Sequence, residues 1–305
     1  MVFRANAKFS GLVRGIGQSV TGCDKTWVCE MAYAFPGAGA LDYSLCSYAG
    51  SRIMFRGPKA DLREPFVACL GGSETYGKFI PTPFPDLLEE MLDLQVANFG
   101  CVNAGPEVFV REDTLLETVS QAAACVVQIT GAQNLTNRYY SVHPRRNDRF
   151  TGPTPLLRAL FRQVDFTEFS FTRHLVHVLQ SHSADRFEVL AEELRSAWVA
   201  RMKDLLGQVR CPTVLLWLAD APPPNPGKRA DLSVEPMLVD REMVAAVKPM
   251  ATTYVEMVPS AAARTKGAEG MAFGPLEAPA AARLPGPAVH YELAKRLVPV
   301  LRQMI

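Results

Sequence analysis

Five short, nearly unbroken apolar runs are the feature that most constrains this chain: Phe66 to Leu70, Leu94 to Phe99, Cys125 to Thr130, Thr213 to Leu218 and Tyr254 to Val258. A run of this length without polar alternation is what a parallel strand buried on both faces requires. Helical patterns lie between the runs. Asp86 to Leu92 is one, and Phe187, Leu190, Leu194, Trp198, Met202 and Leu205 recur at spacings of three and four, the longest amphipathic face in the sequence. Leu293, Leu297, Val300, Leu301 and Met304 repeat the pattern at the C-terminus, where Pro299 should kink the helix. Strands alternating with helices give an α/β class, a doubly wound parallel sheet of about five strands flanked by helices. The stretch 1–60 has glycines and aromatics but no period and reads as an N-terminal extension packed on a main domain at 61–305. The interval 141–207 is far longer than one crossover helix needs and reads as a helical insertion. Pro222 to Pro226 and Pro259 to Pro287 are loops, and there is no internal repeat.

Composition narrows the class of function. The 305 residues are 48% hydrophobic and 21% charged, the balance of a folded globular chain and not of a disordered one. With Lys+Arg 32 against Asp+Glu 31 the net charge is +1, which speaks against a nucleic-acid partner. No apolar run reaches the length of a membrane span, and the opening MVFRANAKFSGLVRG has no leader pattern, so a cytoplasmic location is expected. The cysteines, Cys23, Cys29, Cys46, Cys69, Cys101, Cys125 and Cys211, are scattered and read as small core residues, not as disulfide or zinc ligands. His174, His177 and His182 lack the partners that would complete a metal site. No metal and no cofactor is expected.

The first strand runs straight into Gly71-Gly72-Ser73-Glu74-Thr75-Tyr76-Gly77, at the carboxyl end of a strand, where such sheets place their ligands. Two chemistries compete for this segment. Gly72-x4-Gly77-Lys78 fits a phosphate-binding loop, with Leu215 to Asp220 as the strand carrying a magnesium-binding acid. That loop also needs a Ser or Thr after the lysine and a helix starting there, whereas Phe79 comes next and Pro81, Pro83 and Pro85 interrupt. Alternatively Ser73 is a nucleophile on a tight turn, or simply a turn residue capping the next segment of chain.

Taken in order, GGSETYG, PDLLEEML, LQVANFG, VVQITGAQN, WLADAPPP and PAVHYELAKRL resemble the sequence blocks of the SGNH (GDSL-type) hydrolase superfamily over about residues 66–305. The resemblance implies an SGNH/flavodoxin-like fold and ester chemistry, with Ser73 as nucleophile and its N–H as one oxyanion donor. It further implies the Gly100 N–H as a second donor, the side-chain amide of Gln133 or Asn134 as a third, and His290 as the base. Such groups are what acyl transfer needs: an activated oxygen, a base within reach and donors aimed at the developing oxyanion. Two positions depart from the family pattern. Pro287 stands where the acid that orients the histidine is expected, leaving a Ser–His dyad oriented by a backbone carbonyl or by Asp220, and Gly72 replaces the Asp of the GDS block. The basic segment His143-Pro144-Arg145-Arg146-Asn147-Asp148-Arg149 is either a solvated loop or a clamp in which Arg145, Arg146 and Arg149, with His143 beside them, hold an anionic part of the substrate.

The expected function is therefore a serine hydrolase or O-acyltransferase acting on an ester of a polar or anionic metabolite or carbohydrate. The rivals are a non-catalytic binding protein on the same cleft and a phosphate-loop transferase such as a nucleotide-dependent sulfotransferase. A small-molecule or carbohydrate ester is the partner implied; the sequence leaves a homo-oligomer open.

Overall fold

The computed structural model describes residues 39–305 apart from 49 and 228, and a compact unit spans Ala38–Ile305. All five apolar runs are strands. Among the described residues the strands are β1 (Phe66–Gly71), β2 (Gln95–Gly100), β3 (Ala124–Gln128), β4 (Tyr140–His143), β5 (Arg146–Pro153), β6 (Thr213–Leu218) and β7 (Thr253–Met257). β2, β1, β3, β6 and β7 form one sheet in that order, every neighbour pair parallel. Gly71 lies opposite Gly100, and Leu70 lies opposite both Phe99 and Val127, so β1, β2 and β3 end level.

Both faces of the sheet are covered, which explains the unbroken apolar runs. Val67 and Cys69 of β1 share one cluster with Phe84, Leu88, Leu293 and Leu297, contributed by helices α1 (Phe84–Leu92) and α4 (Pro287–Arg302). Ala68 and Leu70 face the other way, toward Leu190, Leu194 and Trp198 of the long helix α3 (Ala184–Gln208), which comes after α2 (Thr172–His182). The Ser183 hydroxyl caps α3 by accepting from the Arg186 N–H. Helix α1 starts where its prolines permit: Pro83 is extended, and Pro85 falls in the first turn, where no N–H is required. Pro299 does not stop α4, which runs through to Arg302. Pro299 and Lys295, whose carbonyl loses its partner, lie on the exposed side of the helix.

The interval 141–207 is not wholly helical. It opens with the antiparallel hairpin β4–β5, in which Tyr140 and Val142 point inward and Ser141 and His143 outward. This two-residue alternation is short and runs into charged residues, which hides it in the sequence. The expected extension at 1–60 divides: residues 1–38 lie outside the described residues, while Cys46 and Phe55 form an antiparallel bridge and Tyr48 and Phe55 pack edge-on to Phe99. No helix among the described residues is long and apolar enough to cross a membrane.

Candidate functional site

At the carboxyl end of β1 the chain turns at once into a single helical turn, Ser73–Tyr76, closed by Gly77 at φ +72°. Gly71 makes the turn fit: a Cβ there would lie 2.1 Å from Thr75 Oγ1 and 2.4 Å from Gln128 Oε1. Gln128, the last residue of β3, ties the turn down. Its Oε1 accepts from Gly72 N at 3.0 Å, Thr75 N at 3.3 Å and Thr75 Oγ1 at 2.6 Å, and its Nε2 donates to Glu74 Oε2 at 2.8 Å. A polar side chain inside a buried strand is tolerable only when it is satisfied in this way.

Ser73 is 5% exposed. Its Oγ donates to Asn103 Oδ1 at 3.2 Å and accepts from Asn103 N at 2.9 Å, so one residue fixes both the hydroxyl proton and one lone pair. Asn103 adopts φ +56°, a conformation that asparagine tolerates better than most residues. Its Nδ2 donates to Asp148 Oδ2 at 3.3 Å. Its carbonyl accepts from Asn134 Nδ2 at 2.9 Å, and Thr172 Oγ1 closes the ring, 2.5 Å from Asn134 Oδ1 and 3.4 Å from the Asp148 carbonyl. Asp148 is 7% exposed and its Oδ1 has no partner. No arginine or lysine pairs with it among the described residues.

The structure does not join His290 to Ser73. The imidazole accepts from Phe84 N through Nδ1 at 3.0 Å, stacks on the Phe84 ring and is 1% exposed. Its Nε2 is buried, with the Pro285 backbone near enough to favour the charged ring to a small degree. Burial, helped by the positive charge of Arg56, lowers its pKa from 6.5 to about 3. With Pro287 in place of an acid, no opposite charge among the described residues holds an imidazolium, and the unpaired first N–H of α1 captures the ring instead. Asp220, the remote acid considered for it, uses its backbone carbonyl for Arg264 Nη1 and makes no hydrogen bond with the imidazole.

Gly100 is likewise not a free oxyanion donor: its N–H goes to Asn98 Oδ1 at 2.9 Å. Its glycine is required for packing, because a Cβ would lie 2.2 Å from Tyr76 N. Asn134 joins the ring around Asn103 as described. Gln133 lies beside it, with its carbonyl accepting from Tyr140 Oη at 2.6 Å and its buried Oε1 unpartnered; neither amide is bonded to Ser73. Arg145 and Arg146 stand exposed at the tip of the hairpin, and His143 Nδ1 accepts from Arg145 N at 3.3 Å. Arg149, on β5, is occupied away from the tip, 4.6 Å over the ring of Phe171, which precedes α2. The tip is anchored near the site: Asn147 Oδ1 accepts from Val108 N at 2.9 Å, and the next residue is Asp148.

A phosphate cradle is absent from this turn. Gly77 N and Lys78 N both donate to the Ser73 carbonyl at 3.0 Å, and no helix starts at Lys78, whose Nζ sits 4.7 Å over the Phe79 ring. No group of three His, Cys, Asp or Glu able to hold a metal occurs among the described residues; His177 Nδ1 lies 2.8 Å from the Arg173 carbonyl and His174 packs on Phe169. Two surface clefts of about 520 and 510 Å³, one holding Lys248, Thr253 and Tyr254, the other Glu64, Glu89 and Gln95, lie at the amino ends of the strands, away from Ser73.

Sequence reasoning missed Gln128, Asn103, Asp148, Thr172 and Arg56. Gln128 was legible as the polar residue in an apolar strand, and Asn103, before Ala-Gly, as a left-handed turn position. Asp148 was hidden among the charges of its loop. Arg56 reaches from a segment without periodicity to donate to the carbonyls of Gly77 (2.7 Å), Ile80 (2.8 Å) and Pro81 (2.7 Å), pinning the loop between Ser73 and α1.

The sheet order, with a serine on the turn after the first strand, makes this a doubly wound α/β fold in which His290 is turned to structural use. The chain belongs to the family described as "Domain of unknown function (DUF6473)", whose model matches residues 31–305. A search of curated proteins finds no match. Among solved structures the chain is similar to a carbohydrate esterase family 2 enzyme with a carbohydrate-binding domain from Corynascus thermopiles (Myceliophthora fergusii), at 11% identity over 82% of this chain and 69% of that one, with a TM-score of 0.39. It is also similar to a family two carbohydrate esterase from Clostridium thermocellum (13% identity, 82% and 67%, TM-score 0.39). A third is a putative lipolytic protein of the G-D-S-L family from Desulfitobacterium hafniense (13%, 77% and 98%, TM-score 0.35).

Proposed function

We propose that the protein is a serine-dependent esterase or O-acyltransferase acting on an ester of a polar or anionic metabolite or carbohydrate, with Ser73 as the acyl-accepting hydroxyl. The observation that carries this reading is the Ser73 hydroxyl itself, placed at the carboxyl end of the first strand and held by two hydrogen bonds with Asn103. A hydroxyl with a fixed proton and one lone pair free is arranged for attack. Its Oγ–carbon bond forms as the ester C–O bond breaks, the departing alcohol takes up a proton, and water or a second hydroxyl then removes the acyl group from Ser73. Arg145 and Arg146 at the hairpin tip, beside His143, are the proposed contacts for the anionic portion of the substrate. The test is hydrolysis of an activated aryl ester: turnover is expected in the wild type and its loss in Ser73→Ala.

The burial of His290 favours a second reading, binding without turnover on the same sheet edge. That reading predicts saturable binding of esters with no alcohol released.

A further inference from the structure

The hydrogen bonds at Ser73 run on past Asn103 and end at a carboxylate, with the donors and acceptors in one direction: Ser73 Oγ to Asn103 Oδ1 at 3.2 Å, then Asn103 Nδ2 to Asp148 Oδ2 at 3.3 Å. We propose that this chain is the proton path of the reacting serine: Asn103 is a catalytic residue and Asp148 the terminal acceptor, in the role the fold's histidine does not fill here. The proposal rests on the reading of Ser73 as the acyl-accepting hydroxyl.

The step balances within the chain. As Oγ bonds to the acyl carbon, its proton moves to Asn103 Oδ1 while an Nδ2 proton moves to Asp148 Oδ2, leaving Asn103 as the imidic acid and Asp148 neutral. Collapse of the tetrahedral adduct breaks the ester C–O bond, and the reverse transfers return the proton through Asn103 to the departing alkoxide. No co-reactant is needed. An amide alone is a poor base. A hydrogen bond from its nitrogen to a buried carboxylate makes its oxygen a stronger acceptor, because linked hydrogen bonds polarise one another.

Three structural features support the assignment. Asp148 is buried with no arginine or lysine partner among the described residues, and one of its oxygens is unpartnered there, an arrangement that costs stability and is retained at functional sites. Asn103 is held at a left-handed φ by the Asn134 amide on its carbonyl, which aims its side chain back at Ser73. The imidazole that would otherwise serve is sealed beneath Phe84.

The proposal is tested by the rate at which a fluorophosphonate probe labels Ser73, where the Oγ–phosphorus bond forms, fluoride leaves and the serine proton must be removed. Asn103→Gly suits the positive φ and keeps the backbone N–H on Ser73 but deletes the relay. The maximal labelling rate is expected to fall at least tenfold with the probe's affinity unchanged, and formate or imidazole, entering the space left by the side chain, should restore part of it. Asp148→Asn should slow labelling similarly without rescue, because Asn103 still fills the gap. Wild-type labelling matched by both variants overturns the relay and leaves Ser73 as the nucleophile. A wild type that is not labelled at Ser73 overturns both. If Asp148→Asn does not fold, Asn103→Gly and its rescue decide the matter.

Discussion

A histidine that is neutral and sealed makes folding sensitive to acid in a calculable way. In the unfolded chain His290 titrates near its ordinary 6.5, and in the fold burial and the Arg56 charge hold it to about 3. Because the folded-state pKa is depressed, the unfolded state binds the extra proton between these values. The contribution is therefore intact above 6.5 and lost as pH falls toward 3, at up to about 1.4 kcal/mol per pH unit. Integrated from pH 8 to pH 5, the loss is about 2 kcal/mol, and it would be nearly the same with a folded pKa one unit higher, since pH 5 would still lie above it. Asp86, whose carboxyl is raised to about 6 by burial, titrates in the same window with the opposite sign, its contribution being lost as pH rises. A reference variant is therefore needed. His290→Asn keeps an acceptor near the Nδ1 position for Phe84 N and has no titration. Urea denaturation of both proteins at pH 8, 7, 6 and 5 should show the wild type losing about 2 kcal/mol more than the variant between the extremes. Parallel pH profiles would show that His290 titrates normally in the fold, and the sealed ring would be refuted.

Other substitutions probe the supports of the site. Arg56→Met strips three carbonyls of a charged donor and should cost about 3 kcal/mol or more in urea denaturation; a loss below about 1 kcal/mol would contradict the pinning role. Gly100→Ala pushes a methyl to 2.2 Å from Tyr76 N and should cost about 1–3 kcal/mol, where an oxyanion role alone would leave stability untouched. Arg145→Ala with Arg146→Ala should change stability by less than about 0.5 kcal/mol yet weaken binding or turnover of an anionic ester at least tenfold, about 1.4 kcal/mol; equal kinetics would return the hairpin tip to solvated surface.

The sheet was legible because burial on both faces forces continuous apolar residues, and the five runs match the five strands to within a residue or two. The packing stripe of α3 was legible for the same reason, with Phe187, Leu190, Leu194 and Trp198 all buried. The hairpin escaped because β4 is four residues long and leads into a charged turn. At the site, the position of Ser73 is set by local order in the sequence, but the partner of its hydroxyl is not. Asn103 and Asp148 come from separate elements, and only the fold decides that Asn103 meets the serine, that Asp148 meets Asn103 and that His290 meets neither. Gly100 was read as an oxyanion donor, but its N–H is spent on Asn98, and its missing side chain instead admits the Ser73 turn.

Covalent labelling by a fluorophosphonate, with mass spectrometry of the peptide containing Ser73, tests the central claim most directly. One equivalent of adduct on Ser73 is expected, absent in Ser73→Ala and retained in His290→Asn. An intact, folded wild type that takes up no label at Ser73 would contradict the claim that this serine is a reactive hydroxyl.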